Sequence, residues 1–278
     1  MINLKKTTAA LALGLGLTVA DAALVIIPQS ALNSSPGVYT PNGYYTNTLG
    51  PNIVTTGGGN AANPGQANGR NDDGFMALGL GFNVTFFGTT YNSLFINNNG
   101  NVSFGAGISA YIPTGPTGAN RPVISPFFGD VDTRNPSSGV VHYNLTGNQL
   151  VVTWDNVGFF NTQVSSPNNS FQLVLRADDY VVPVGEGAIG FFYQKMSWER
   201  TVFSPTAAVG FGDGLGNGNV LAGSNSAGMN GVVQDKYLWF NRNLAPVTGN
   251  SVPEPASLAL VTLALAGAGF ASRRRRPI

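Results

Sequence analysis

Apolar residues in this chain recur in short runs at alternate positions, and the runs are separated by Gly, Asn, Pro and Thr. From Phe75 onward that rhythm predicts strands. Phe82 to Phe87 and Tyr91 to Ile96 are rich in aromatic and β-branched residues, with Gly88-Thr89-Thr90 as a hairpin-like connection. Asn97-Asn98-Asn99-Gly100 turns the chain into Val102-Ser103-Phe104, because Asn and Gly tolerate the positive φ that tight hairpins need. Leu145-Thr146-Gly147-Asn148-Gln149 joins Val140 to Asn144 with Leu150 to Trp154. In the latter, Leu150, Val152 and Trp154 share one face, and Val151, Thr153 and Asp155 the other. Phe171, Leu173 and Leu175 alternate with Gln172 and Arg176, and Ile189, Phe191 and Tyr193 repeat the device. No long helical period appears before the C-terminal tail. The pattern predicts an all-β fold, an antiparallel β-sandwich.

Ahead of Phe75 the pattern lapses. Residues 23–74 are rich in Gly, Asn, Pro, Thr and Tyr, and the stretch from Gly57 to Gly74 has almost no apolar content. Such a composition buries too little surface to offset its ordering entropy, so a flexible lead-in is expected, with Leu24 to Ile27 available as an edge strand. The expected layout is a signal peptide over 1–22, the lead-in over 23–74, the β domain over 75–245 and a sorting tail over 246–278.

Both ends carry hydrophobic runs of a different kind. Lys5 and Lys6 precede an apolar stretch from Ala9 to Ala20, and Ala20-Asp21-Ala22 supplies the small residues that signal peptidase cuts after. At the other end Pro253-Glu254-Pro255 leads into Leu258 to Ala271, and Arg273, Arg274, Arg275 and Arg276 follow. The run of about 14 residues makes roughly 21 Å of helix, short for a transmembrane span that needs about 20 residues. Four arginines resist crossing and hold the tail on the cytoplasmic side, which puts the body outside. This order of motif, short span and basic cluster resembles the PEP-CTERM sorting signal of Gram-negative bacteria that make exopolysaccharide. The resemblance implies transient anchoring in the membrane and cleavage near Pro253 to Pro255 by the exosortase, a membrane-embedded cysteine protease-transpeptidase. It also implies release or attachment at the cell envelope, cell surface or extracellular matrix. The alternative is an ordinary C-terminal anchor that is never cut.

Trimming both ends removes six of the 14 basic and two of the 13 acidic residues, leaving eight against eleven. An exported body with net negative charge and no basic patch disfavours a nucleic-acid partner. The chain has no cysteine, which excludes thiol catalysis, thiolate metal sites and disulfides; stability must come from a core.

Several ordered blocks carry a second likeness. They are Phe86 to Phe104, Arg121 to Arg134, Val152 to Gly158, Asn169 to Leu175 and Ala207 to Gly214. Together they resemble a nidogen-type extracellular (NIDO) domain over about residues 80 to 230. In animals that family belongs to basement-membrane and cell-surface proteins. The resemblance implies cell-matrix adhesion, or association with exopolysaccharide and biofilm, without enzymatic activity. The competing class is an envelope-associated hydrolase acting on matrix polysaccharide.

Candidate chemistry is sparse. His142 is the only histidine, on a predicted strand, with no Gly-x-Ser-x-Gly elbow or cysteine to complete a hydrolase. Asp130 with Asp132, Asp178 with Asp179, and Glu186 or Glu199 are the acids available for glycoside hydrolysis. In Gly129-Asp130-Val131-Asp132-Thr133-Arg134-Asn135 the two aspartates lie two apart on one face. With Asn135 or a backbone carbonyl they offer hard oxygen ligands to calcium; equally, Arg134 pairs with one of them as a structural clamp. Asp213 and the glycines from 210 to 218 read as turn and loop. Trp154 aligns with the core face, whereas Trp198, beside Glu199 and Arg200, is a candidate exposed platform for a sugar ring.

Overall fold

The computed structural model describes residues 23–55, 60–61, 68–109, 111, 114–160, 167–199 and 206–248. The expected signal peptide, the span at 258–271 and the sorting residues Pro253 to Pro255 and Arg273 to Arg276 lie outside the described residues. Among the described residues no helix is long and apolar enough to cross a membrane.

In chain order the strands begin with β1 (Leu24–Ile27), β2 (Asn33–Ser34), β3 (Asn52–Ile53), β4 (Asn60–Ala61), β5 (Asn71–Asp72) and β6 (Phe75–Phe86). Next come β7 (Thr89–Asn97), β8 (Asn101–Ser103), β9 (Pro122–Phe128), β10 (Val131–Asp132), β11 (Val141–Leu145) and β12 (Gln149–Phe159). The last are β13 (Asn169–Arg176), β14 (Ile189–Met196), β15 (Ala208–Asp213), β16 (Gly218–Leu221) and β17 (Lys236–Phe240), with one short helix, α1 (Met229–Val233), before β17.

These strands form two sheets. One has seven strands in the order β1-β16-β15-β9-β8-β7-β6. The other has ten: a path β2-β17-β14-β13-β12-β10-β5-β4, with β11 on β12 and β3 on β11. Every pairing is antiparallel except that of β1 with β16. The all-β prediction holds, and two antiparallel-rich sheets burying a common core are consistent with the expected sandwich.

Alternation builds that core. Along β6, Leu80, Phe82, Val84 and Phe86 are buried while Gly79, Gly81, Asn83 and Thr85 face solvent. From the ten-stranded sheet Leu150, Val152, Trp154, Phe171, Leu173, Leu175, Phe191 and Tyr193 join the same cluster. The layers are also tied directly: Tyr193 Oη donates to the Pro126 carbonyl at 2.7 Å, and the Phe127 and Phe171 rings are 5.7 Å apart. The first hairpin turns one residue earlier than predicted, at Phe87-Gly88, where both residues have positive φ and Phe86 pairs with Thr89.

The outer face of the ten-stranded sheet differs from expectation. Gln172 and Arg176 alternate with the core-facing Phe171, Leu173 and Leu175, yet every residue of β13 is buried. What covers that face is the segment whose composition predicts flexibility. Tyr39 and Tyr45 pack with Val151, Val174, Phe192 and Trp239 in a second apolar cluster. The Gln172 amide accepts from Tyr45 N at 3.0 Å and donates to the Thr46 carbonyl at 3.1 Å, so it pairs with the docked segment much as an extra strand would. Tyr44 Oη donates to Asp155 at 2.9 Å, and Trp239 Nε1 donates to Tyr39 Oη at 2.8 Å. Between 23 and 55, therefore, the lead-in is built into the domain. Aromatic residues spaced among Gly and Asn supply anchoring surface that an average composition conceals.

Candidate functional site

The acidic loop after β9 is held by strand pairing. Asp132 of β10 lies directly opposite Asp72 of β5. Residues opposite one another in an antiparallel pair project on the same side, so two like charges meet there and need a cation. Arg134 supplies it. Its Nε and Nη2 take the two Asp132 oxygens at 2.9 and 2.7 Å, and Nη2 also reaches Asp72 Oδ2 at 2.9 Å. Thr133 locks the register: its N–H donates to the Asn71 carbonyl at 2.9 Å, and its hydroxyl oxygen accepts from Asn71 N at 2.8 Å. Arg134 thus pairs with Asp132, as the clamp alternative has it, and with Asp72 as well.

Asp132 is therefore committed to the guanidinium. Asn135 is taken up by its own loop, its side-chain oxygen accepting from Ser137 N at 2.8 Å. Arg70 holds that loop from the other side, donating to the carbonyls of Thr133, Asn135, Pro136 and Ser138. The expected set of Asp130, Asp132 and Asn135 is thus not what converges. Instead, carboxylate oxygens of Asp72, Asp73 and Asp130 all lie within 4.8 Å of one another. The Asn97 to Gly100 turn approaches the same place, with Asn99 Nδ2 donating to Asp73 Oδ1 at 2.7 Å. Burial raises the Asp72 carboxyl to about 7; the charges of Asp132 and Asp73 add to the rise and Arg134 opposes it. Asp73 is raised too, by burial first, with the Asn99 hydrogen bond pulling the other way.

Asp72, Asp73 and Asn99 are functional candidates that the sequence reading passed over. Asp72 and Asp73 stand in Gly69-Arg70-Asn71-Asp72-Asp73-Gly74, within the stretch set aside as low in apolar content. Their signal was a doubled acid beside the first predicted strand.

The other predicted residues have structural partners. Trp198 is buried rather than exposed: its ring packs on Phe127 and Phe159, and its Nε1 donates to the Val157 carbonyl at 3.1 Å. It presents no free ring face to a sugar. Trp154 is in the core as expected, stacked on Phe171. His142 is a strand residue paired with Thr153 and Ile53. Among the candidate acids, Asp178 accepts from the Thr85 N–H and hydroxyl, Glu186 pairs with Arg176, and Glu199 accepts from Gly228 N and Asn230 N ahead of and within α1. Asp213 closes a turn by accepting from Leu215 N and Asn217 N.

Away from the acidic loop, an open cleft of about 670 Å³ lies between the β6–β7 pair and the β11–β12 turn. Its lining includes Asn83, Asn92, Asn148 and Asp179, all exposed, together with Asp178. Amide and carboxylate groups on an open surface suit hydrogen bonding to hydroxyl-rich ligands.

Fold and site together define a two-sheet, all-β module with an acidic, amide-lined loop cluster and a polar open cleft. Residues 43–252 match the family described as NIDO related, and the chain belongs to that family. The match begins inside the docked N-terminal segment. Residues 251–276 match the PEP-CTERM protein-sorting motif, which implies processing by exosortase. Over 188 residues the chain is 31% identical to alpha-tectorin of Gallus gallus, and over 189 residues 30% identical to alpha-tectorin of Mus musculus and of Homo sapiens. Those alignments cover 58% of this chain and 8% of each relative. No solved structure gives a significant match. A NIDO-related domain followed by a PEP-CTERM motif suggests an exosortase-sorted protein that is exported to the cell surface or beyond.

Proposed function

We propose that this protein is a non-enzymatic matrix-association module of a Gram-negative envelope, its β-sandwich binding exopolysaccharide or another matrix component in a biofilm. The observation that carries the reading is the succession, in one chain, of a NIDO-related domain and a PEP-CTERM sorting motif. In this reading signal peptidase removes residues 1–22, the segment 258–271 holds the protein transiently in the membrane, and exosortase cuts near Pro253 to Pro255. The cleft between Asn83, Asn92, Asn148 and Asp179 is the sugar-contacting surface. Uncharged amides match the donor and acceptor alternation of sugar hydroxyls without demanding a charged polymer. Structural roles for Asp178, Glu186 and Glu199 favour binding over hydrolysis.

The test is co-sedimentation of the full chain with exopolysaccharide isolated from a host that carries it, combined with an assay for released reducing ends. Binding that falls at least about tenfold in Asn92→Ala/Asn148→Ala, a loss of about 1.4 kcal/mol or more, with no release of reducing ends, is the expected result. Turnover of the polysaccharide would establish the hydrolase alternative, and equal binding by the variant would remove the cleft from the reading.

A further inference from the structure

Carboxylates gather around the β5–β6 connection. The Arg134 guanidinium is committed to Asp132 and Asp72, while carboxylate oxygens of Asp72, Asp73 and Asp130 lie within 4.8 Å of one another. Asp72 is nearly inaccessible to solvent, at 3% exposure, and only its Oδ2 meets the guanidinium. Charges buried to this degree need compensation, because water cannot supply it.

An independent observation concerns the acceptors nearby. Asp72 Oδ1, Asn98 Oδ1 and Asn99 Oδ1 are buried and have no hydrogen-bond donor. Asn98 and Asn99 are 2% and 0% exposed, and the Asn99 amide is fixed against Asp73 through its nitrogen. Every one of these orphans is an oxygen, on chain segments that meet at the acidic cluster. Buried polar atoms almost always find a partner. A cluster that lacks only donors calls for a cation.

We infer that Asp72, Asp73 and Asp130, with the Asn99 side-chain oxygen, form a calcium-binding site that pins the N-terminal segment to the β9–β10 loop and the β7–β8 turn. The donor chemistry selects the ion class, since carboxylate and amide oxygens without nitrogen or sulfur suit hard cations. The spacing agrees: calcium–oxygen bonds of about 2.3–2.6 Å allow ligand oxygens up to about 5 Å apart, and the three carboxylates lie within 4.8 Å of one another. A divalent ion here would join segments distant in sequence, so that the domain tightens where calcium is plentiful, outside the cell. The inference is independent of which matrix component the cleft binds.

The experiment uses the full-length chain in mild detergent, stripped with EDTA and returned to chelator-free buffer. Thermal unfolding is followed with and without calcium, and terbium is used as a luminescent stand-in excited through tryptophan. Trp154 is well placed to sensitise it, because its Nε1 donates to the Asn98 carbonyl at 3.1 Å. The expected result is a saturable rise in Tm of at least about 3 °C in about 5 mM calcium, with terbium luminescence that calcium displaces. Asp73→Asn, a half-buried and nearly isosteric change, is expected to weaken calcium at least about tenfold, while Asn135→Ala stays within about twofold. Should Asp73→Asn fail to fold, Asp130→Asn is read by the same displacement. Identical melting in EDTA and calcium with no terbium signal would overturn the inference. So would wild-type affinity in Asp73→Asn, loss of affinity in Asn135→Ala, or an equal response to magnesium.

Discussion

Arg176→Met is the sharpest test of how the N-terminal segment is held. The Arg176 side chain is 0% exposed. Its guanidinium carbon lies 4.4 Å from the Trp239 ring centroid, 4.6 Å from Tyr180 and 5.6 Å from Tyr45. It donates to Gln149 Oε1 at 3.1 Å, the Gly187 carbonyl at 2.8 Å and Tyr45 Oη at 3.1 Å, and it pairs with Glu186. Methionine keeps much of the volume and can lie against the rings, so the cost is mainly that of acceptors left without a donor. Each buried orphan costs about 1–3 kcal/mol, but Glu186, at 13% side-chain exposure, can partly rehydrate. Removing one member of a buried pair typically costs about 3–5 kcal/mol, and that range is expected here. Urea unfolding of the full chain, followed by tryptophan fluorescence, measures it. Limited proteolysis of the folded variant should cut first within residues 23–55, since Tyr45 loses its partner. Because the penalty comes from orphaned groups, Arg176→Met/Glu186→Leu should recover part of the loss. A stability within about 1 kcal/mol of wild type in the single variant, or unchanged proteolysis, would refute the reasoning.

Gly100→Ala should cost more than about 2 kcal/mol in the same unfolding assay, since Gly100 has a φ of +72° and a Cβ there would overlap the Phe127 carbonyl oxygen. Trp198→Ala should destabilise by about 3–5 kcal/mol through the cavity it leaves, while the polysaccharide affinity of the remaining folded protein stays unchanged; a lost affinity at full folding would return Trp198 to the binding surface. Trp154→Phe removes the donor to the buried Asn98 carbonyl, for an expected loss of about 1–3 kcal/mol measured by denaturation. Replacing Arg273 to Arg276 with glutamine should leave unprocessed or misoriented protein, read as intact mass in envelope fractions; normal processing would show that the basic cluster is dispensable to sorting.

Much of the fold was legible because strand formation with one face buried writes a period of two into the sequence. β6, β7, β12, β13 and β14 were all visible in this way, as was the turn at Asn97 to Gly100. The misreadings share a cause. Gln172 and Arg176 are polar yet buried: alternation reports polarity, and polarity stands for exposure only where nothing else covers the sheet. Trp198 looked exposed for a similar reason: its charged sequence neighbours said nothing of Phe127 and Phe159, which reach it from other strands.

The candidate site divides along the same line. The sequence by itself determined the sorting motif, the all-β class and the presence of an acidic loop at Asp130 to Asn135, since each depends on residues within a few positions of one another. It also supplied the two alternatives for Arg134. Only the tertiary structure set Asp132 opposite Asp72 with Arg134 on both, and Asp130 beside Asp72 and Asp73. It decided, too, that Tyr39, Tyr44 and Tyr45 close the second face of a sheet by bonding to Trp239, Asp155 and Gln172, each more than a hundred residues further on. Local pattern carries the energetics of a strand, but a buried charge is balanced by whatever the fold brings next to it, and that neighbour is set by topology.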